Sequence, residues 1–342
     1  MRKIILKTVL FVSPFIILHL ITATFYFSSL AAPDLLRVGY FPFFKEYRSV
    51  FQKEFERKSY FNEISKAKNK KAKILIMGDS FSGQGNYGYK NYLAEKHSVL
   101  HLDTSFKGNR LQILYEFLNS DFFEEYEVEY VVLENVERKF VYNSKKIDVS
   151  KTRKRFEFNK TENNHKALIK KEKGGFFSRE TISFPFSMFR FYLDENYLSK
   201  NVYNVTLKTN KLFSNNSSKL LFSEEDMLGV QLNNNLEGVI KLNNVLNDLS
   251  KKLREKKVKL IVLPAPDKYD LYYDYILDKT NFPKPLFFQY LGFLKKDYIY
   301  IDSKRKLLDQ LEVKKDMYFY DDTHWSPVAS KIIANEIDKV VN

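Results

Sequence analysis

The chain has no cysteine and a single tryptophan in 342 residues. Disulfides and thiolate metal sites are excluded by that absence; the compartment is not, because many exported proteins also lack cysteine. Histidine is scarce, with five copies, so imidazole chemistry has few seats. Zinc-finger, RNA-recognition and helix-turn-helix patterns are missing. The 56 lysines and arginines outnumber the 42 carboxylates, but they are spread along the whole chain rather than clustered. The net charge of +14 therefore reads as a basic surface facing anionic lipid headgroups or an acidic polysaccharide, and no nucleic-acid partner is expected. No His/Cys/Asp/Glu cluster with metal-ligand spacing is seen, so neither a metal nor a cofactor is expected. Internal repeats are absent too.

Long apolar runs are also missing, with one exception. Arg2, Lys3 and Lys7 precede about 26 uncharged residues, Thr8 to Pro33, enough to cross the hydrocarbon core as a helix. Pro14 and His19 are tolerated in such a helix. The reading is a retained single-span anchor with its basic end in the cytoplasm and everything after Pro33 outside, periplasmic or on the cell surface. A cleaved signal peptide is the alternative, because Ser29-Leu30-Ala31-Ala32 offers small residues at a plausible cleavage point.

Residues 34–70 read as a helical stalk or linker, with Tyr47, Phe51, Phe55 and Tyr60 at roughly helical spacing. Five short runs rich in branched or aromatic residues follow: Lys73 to Met77, Ser98 to Leu102, Tyr130 to Leu133, Lys259 to Leu263 and Tyr298 to Ile301. Helical patterns lie between them, at Leu111, Leu114, Tyr115 and Leu118 and at Leu242, Val245, Leu246, Leu249 and Leu253, and Ser326-Pro327 opens a closing helix. Alternating strands and helices predict an α/β domain over residues 71–342, a doubly wound, parallel, five-stranded sheet. Residues 139–235 break the rhythm and are read as an insertion, either an active-site lid or a solvated excursion.

In such a sheet, ligands bind beyond the carboxyl ends of the strands. The first run ends there in Gly78-Asp79-Ser80-Phe81, delivering a serine to the rim. A serine hydroxyl is a weak nucleophile until a base takes its proton. His324, in Tyr320-Asp321-Asp322-Thr323-His324-Trp325-Ser326, is a candidate base with a carboxylate two and three residues before it. A Ser-His-Asp site assembled by the fold is the reading, with Asp321 and Asp322 both open. His97 and His101 flank the second strand and read as structural; His165 stands in the charged insertion without a partner.

The first block resembles that of the SGNH (GDSL-like) hydrolases. Asp322-Thr323-His324-Trp325-Ser326, Leu263-Pro264-Ala265-Pro266-Asp267-Lys268 and Glu134-Asn135-Val136-Glu137-Arg138 are similar to segments of the alginate O-acetyltransferases of the AlgX and AlgJ type. The resemblance runs from Ala72 to Val341 outside the insertion. It implies an SGNH or flavodoxin-like fold and acyl transfer through a serine ester, with Ser80 as nucleophile, His324 as general base and Asp322 orienting the imidazole. The D-x-H spacing of the acetylation type selects Asp322, whereas the D-x-x-H of ordinary SGNH hydrolases would select Asp321. The SGNH pattern also implies oxyanion donors at a glycine after the second strand and an asparagine after the third, here Gly108 and Asn135. The usual Gly-x-Asn-Asp is absent, and a turn or pairing role is open for Asn135. In the acetyltransferases the Asp-His block precedes the serine, which here comes first. Lys268 and Arg138 are candidates to bind an anionic acceptor or to pair with Asp267 and Glu137. Trp325 is a candidate to stack on a sugar ring or to pack under its loop.

The resulting expectation is a membrane-anchored O-acetyltransferase acting on sugar hydroxyls of a cell-surface or exported polysaccharide. An integral membrane acyltransferase is implied as acetyl donor by the resemblance. An SGNH carbohydrate esterase using the same site, or a non-catalytic glycan-binding component of a polysaccharide export system, are the alternatives.

Overall fold

Strand β2 (Lys71–Met77) is buried on both faces from Ile74 onward, which is why its sequence is apolar without alternation. It is the centre of the sheet. In the computed structural model, which describes residues 1–26, 34–36, 48–102, 106–151, 175–194 and 201–342, β2 pairs in parallel with β3 (Val99–His101) on one side and β4 (Glu127–Val136) on the other. Further strands are β1 (Asn62–Glu63) at one edge and β7 (Lys259–Ala265) and β8 (Ile299–Tyr300) at the other. They complete the parallel order β1-β3-β2-β4-β7-β8. All five expected strands are present. Among the described residues the sheet has six strands rather than five, because Asn62 and Glu63 in the presumed stalk pair with Leu100 and His101. Two paired residues carry no apolar run, so the sequence gives no sign of them.

Alternate residues of the central strands feed two cores. Ile74, Ile76, Val132, Ile261 and Leu263 face the closing helix Pro327–Val341. Leu75, Met77, Val131, Leu133, Leu260 and Val262 face the helices Arg110–Leu118 and Leu236–Glu255. The latter inserts Leu242, Leu246, Leu249 and Leu253 at one-turn spacing, each adding about 1.5–3 kcal/mol by burial. Helix starts are capped by side chains: Asn109 accepts from the Leu111 amide at 3.1 Å, and Ser326 from the Val328 amide at 2.9 Å, ahead of Pro327.

Within residues 139–235, β5 (Val202–Thr206) and β6 (Lys219–Ser223) form a separate antiparallel pair. Leu220, Leu221 and Phe222 of β6 lie in the first core. The helices Arg179–Ile182 and Phe184–Leu193 also fall in this stretch. Helix Arg2–Phe25 is, among the described residues, the one long and apolar enough to cross a membrane. Tyr47, His165 and the cleavage residues Ser29 to Ala32 lie outside the described residues.

The chain order places a switch point between β2 and β4, where the connection from β2 leaves to one side and that from β4 to the other. The rim above that crevice is where such sheets bind ligands. Gly78 to Ser80 stand there.

Candidate active site

The turn after β2 is held from several sides. Asp79 accepts from the Phe81 amide at 3.0 Å and, through its other oxygen, from the Val136 amide at 2.8 Å, tying the turn to the end of β4. Glu134 reaches in from β4 and accepts from the Asp79 amide at 3.0 Å, the Ser82 amide at 3.2 Å and the Ser82 hydroxyl at 2.8 Å. Arg110 donates to the Gly78 carbonyl at 2.7 Å. The approach is so close that a Cβ on Gly78 would stand 2.0 Å from Ser82 Oγ and 2.3 Å from Glu134 Oε2, which is why only glycine serves. Burial first, then the charge of Asp79, raises the Glu134 carboxyl well above its usual range. Ser80 is left exposed at the tip.

The second half of the site comes from the loop before the closing helix. A bridge between Tyr318 and Trp325 and the bond from the Ser326 amide to the Met317 carbonyl, 2.8 Å, fold it into a hairpin-like loop. At its tip His324 Nδ1 is 2.6 Å from Asp322 Oδ1, which also accepts from the His324 amide at 3.0 Å. That contact leaves Nε2 as the free ring nitrogen; it is shielded from water and has no hydrogen-bond partner among the described residues. Phe81, directly after Ser80, packs its ring 5.0 Å from the His324 ring. Gln84 donates to the Trp325 carbonyl at 2.6 Å. These contacts bring the serine turn and the histidine loop together on one rim.

Burial alone would lower His324, but the hydrogen bond and charge of Asp322, with Asp34 and Asp79 farther off, outweigh it and raise the imidazole above its usual value. Burial pushes Asp322 the other way, up, yet the bond and charge of His324 and the charge of Arg48 hold it well below the ordinary carboxylate range. The arrangement is an ion pair poised around one imidazole.

Two groups that sequence reasoning missed come from the stretch that follows helix Arg2–Phe25. Arg48, buried over the Phe319 ring at 4.2 Å, donates to Asp321 Oδ1 at 3.0 Å and to Asp322 Oδ2 at 2.9 Å. Asp34 accepts from the Thr323 amide at 2.8 Å and from the Thr323 hydroxyl, and stands 3.9 Å from His324 Nδ1. The amides of Leu35 and Leu36 donate to the Asp321 carbonyl at 3.3 and 3.0 Å. No spacing rule links Arg48 to residues 273 and 274 positions away. Arg48→Ala should destabilise the fold by about 3–5 kcal/mol, because it leaves Asp321 buried without its cation and Asp322 with His324 alone. Chemical denaturation of the full chain checks this, and a loss below about 1 kcal/mol, the scale of exposed pairs, would contradict it.

Asp34, Asp322 and His324 also form a group close enough to hold a metal ion. The donors are already engaged: Asp322 bridges His324 and Arg48, and Asp34 holds Thr323. The Arg48 guanidinium opposes a second cation beside it.

The three acceptor-binding candidates, Lys268, Arg138 and Trp325, are engaged by contacts within the domain, which for Arg138 and Trp325 are the pairing with Asp267 and the packing under the loop named as alternatives. Lys268 is fully buried and spends its three donors on the carbonyls of Phe319 and Tyr320, both at 2.8 Å, and Asp322, at 3.2 Å. It holds the histidine loop. Burial brings it down to about 8 against the pull of Asp321 and Asp322. Arg138 pairs with Asp267 and, at 3.3 Å, with buried Asp226. Trp325 is fully buried, edge-on to Phe81 at 5.0 Å and Tyr89 at 5.9 Å.

Gly108 is exposed on the rim with φ +133°, a conformation that favours glycine, and begins the turn into helix Arg110–Leu118. Asn135 is buried at the end of β4, its Oδ1 3.5 Å from Asn143 Nδ2. Asn135 stands near the end of β4, and Gly108 in the connection that leads from β3 to helix Arg110–Leu118. His97 pairs with Asp338 at 2.7 Å and His101 with Glu63 at 2.7 Å; burial and then the Lys90 charge push His101 down to about 4.

Residues 219–342 match the family of SGNH hydrolase-like domains of acetyltransferase AlgX. The matched stretch holds Asp322 and His324; Ser80 precedes it. No curated protein and no solved structure matches the chain.

Proposed function

We propose that this chain, an AlgX-like SGNH protein over residues 219–342, is a membrane-anchored serine O-acetyltransferase that modifies sugar hydroxyls of an exported or cell-surface polysaccharide. The observation that carries the reading is the Asp322–His324 pair at 2.6 Å, with Nε2 unpaired and the imidazole ring 5.0 Å from that of Phe81, the residue after Ser80. That turn belongs to no matched segment, so its role rests on this geometry and on the Gly-Asp-Ser block.

In the first half-reaction Ser80 Oγ attacks the acetyl carbonyl carbon while His324 Nε2 takes the hydroxyl proton. Asp322, hydrogen-bonded at Nδ1, steadies the resulting imidazolium. Charge that develops on the carbonyl oxygen is met by the backbone N–H of Ser80, with Gly108 and Asn135 as further donors. The bond to the donor oxygen breaks as Nε2 returns the proton to it, leaving acetyl-Ser80. A sugar hydroxyl then attacks the acetyl carbon, gives its proton to Nε2, and Ser80 leaves with that proton. The donor is an acetylated carrier, handed over by an integral membrane acyltransferase.

Water competing with the sugar would make the same site an esterase, so the acceptor decides the activity. With an activated acetyl phenol ester as donor, adding an acidic polysaccharide should raise phenol release and put acetyl on the polymer. Release that is unchanged, with all acetyl recovered as acetate, would make the protein an esterase; no release and no acetyl-Ser80 by mass would overturn the reading.

The base must be neutral to accept the serine proton. Because His324 is raised, kcat/KM should climb with pH through a midpoint above the ordinary histidine value of about 6.5. A pH profile of ester turnover checks the sign: a midpoint below that value would contradict the ion pair.

A further inference from the structure

We infer that residues 175–193 form an interfacial element that dips into the outer leaflet beside the N-terminal span and seats the domain on the lipid surface. The inference rests on the anchor reading and adds a second lipid contact to it. Helix Arg2–Phe25 is 24 residues long, with apolar side chains exposed around it: Leu10 is 64% and Phe11 72% accessible. Its carboxyl end is different, because Thr22 is buried and Tyr26 joins the core that also holds Leu35, Leu36 and Phe191. The helix therefore leaves the domain at a fixed place.

Phe176 and Phe177 lie against that helix below its end. The Phe176 ring is edge-on to His19 at 4.6 Å, and the Phe177 ring is stacked on it at 5.7 Å. His19 is six residues short of Phe25, about 9 Å along the axis at helical rise. Amphipathic interfacial helices bury their apolar face about 5–10 Å into the headgroup boundary. If Phe25 marks the surface, the two rings stand at that depth.

The following helices continue the pattern. Thr181 and Phe191 point inward and are buried, while Ile182, Phe186 and Leu193 are exposed, Leu193 at 89% and the preceding Phe177 at 80%. An apolar face of this size on a water-facing loop marks a partner or a membrane. The neighbouring span selects the membrane, since any lipid around Leu10 and Phe11 continues to His19 and its two phenylalanines. Lys170, Lys171, Lys173 and Arg179 outnumber Glu172 and Glu180 around Phe176-Phe177 in the sequence, a balance that anionic headgroups would favour.

The natural absence of cysteine gives a direct test. Full-length single-cysteine variants Phe177→Cys, Leu193→Cys, Leu10→Cys and Phe293→Cys carry an environment-sensitive fluorophore in vesicles of phosphatidylethanolamine and phosphatidylglycerol containing nitroxide-labelled acyl chains. Phe293 is the aqueous control, 81% exposed on the helix layer across the sheet. The labels at 177 and 193 should be quenched as the label at 10 is, severalfold more than that at 293. If they match 293 while 10 is quenched, the anchor stands and this inference is overturned. Shielding of 177 and 193 from an aqueous maleimide without lipid quenching overturns it as well, in favour of a protein cover such as a second copy. Lack of quenching at 10 removes the anchor and this inference with it.

Discussion

Ser80→Ala should lower turnover of an activated acetyl ester by roughly 10³- to 10⁶-fold, with no acetyl-enzyme detectable by mass. The size follows from what is removed. Without the hydroxyl there is no acyl-enzyme, and what remains is whatever the oxyanion donors and binding achieve with water. Stability should change by less than about 0.5 kcal/mol, because Ser80 is exposed and the turn is held by Asp79, Glu134 and Arg110 instead. A folded but inactive variant is thus the expected pair of results. His324→Ala should cost nearly as much, and the double variant little more than either, since nucleophile and base act as one unit. Additive losses would mean that the two residues serve separate steps. Full activity in Ser80→Ala would move the nucleophile elsewhere.

Much of this rim is legible in the sequence because local rules place it. Lys73 to Met77 is apolar without alternation, as a strand covered on both faces must be, so the serine after it falls at a carboxyl end. Ser326-Pro327 starts a helix by capping rules, which leaves Asp322 to His324 in the loop before it. Side-chain direction is less legible. Trp325 follows His324 in a bent loop with no periodicity to read, and its indole goes inward against Phe81 and Tyr89. Lys268 and Arg138 read in the sequence either as acceptor-binding cations or as partners of Asp267 and Glu137, and the sequence does not choose between the two. Burial with carbonyls or carboxylates around them is a tertiary fact, set by the histidine loop and by Asp226 and Asp267. Asp34 and Arg48 lie at the opposite end of the sequence from the loop they hold, and only the fold brings them there.

Of the two aspartates, Asp322→Ala should be the damaging one for chemistry, lowering kcat by about 10⁴-fold. It removes the acceptor 2.6 Å from His324 Nδ1, and Asp34, 3.9 Å away and bound to Thr323, is beyond hydrogen-bond reach. The imidazole then loses both its tautomer and the bond that raises its pKa while burial still lowers it, so the acid limb of the residual activity should move to lower pH. Asp321→Ala leaves the Asp322–His324 contact in place. Its effect passes through Arg48, which loses one of two carboxylates but keeps Asp322 at 2.9 Å. A stability loss with most of kcat retained is the expected outcome, read from denaturation and ester turnover on the same samples. Undiminished turnover in Asp322→Ala together with a collapse in Asp321→Ala would reverse the assignment. Asp322→Asn sharpens the comparison, because it keeps the volume and a hydrogen-bonding group but not the charge. If it too loses about 10⁴-fold while its melting temperature falls less than that of Asp322→Ala, the carboxylate serves the histidine first and the fold second.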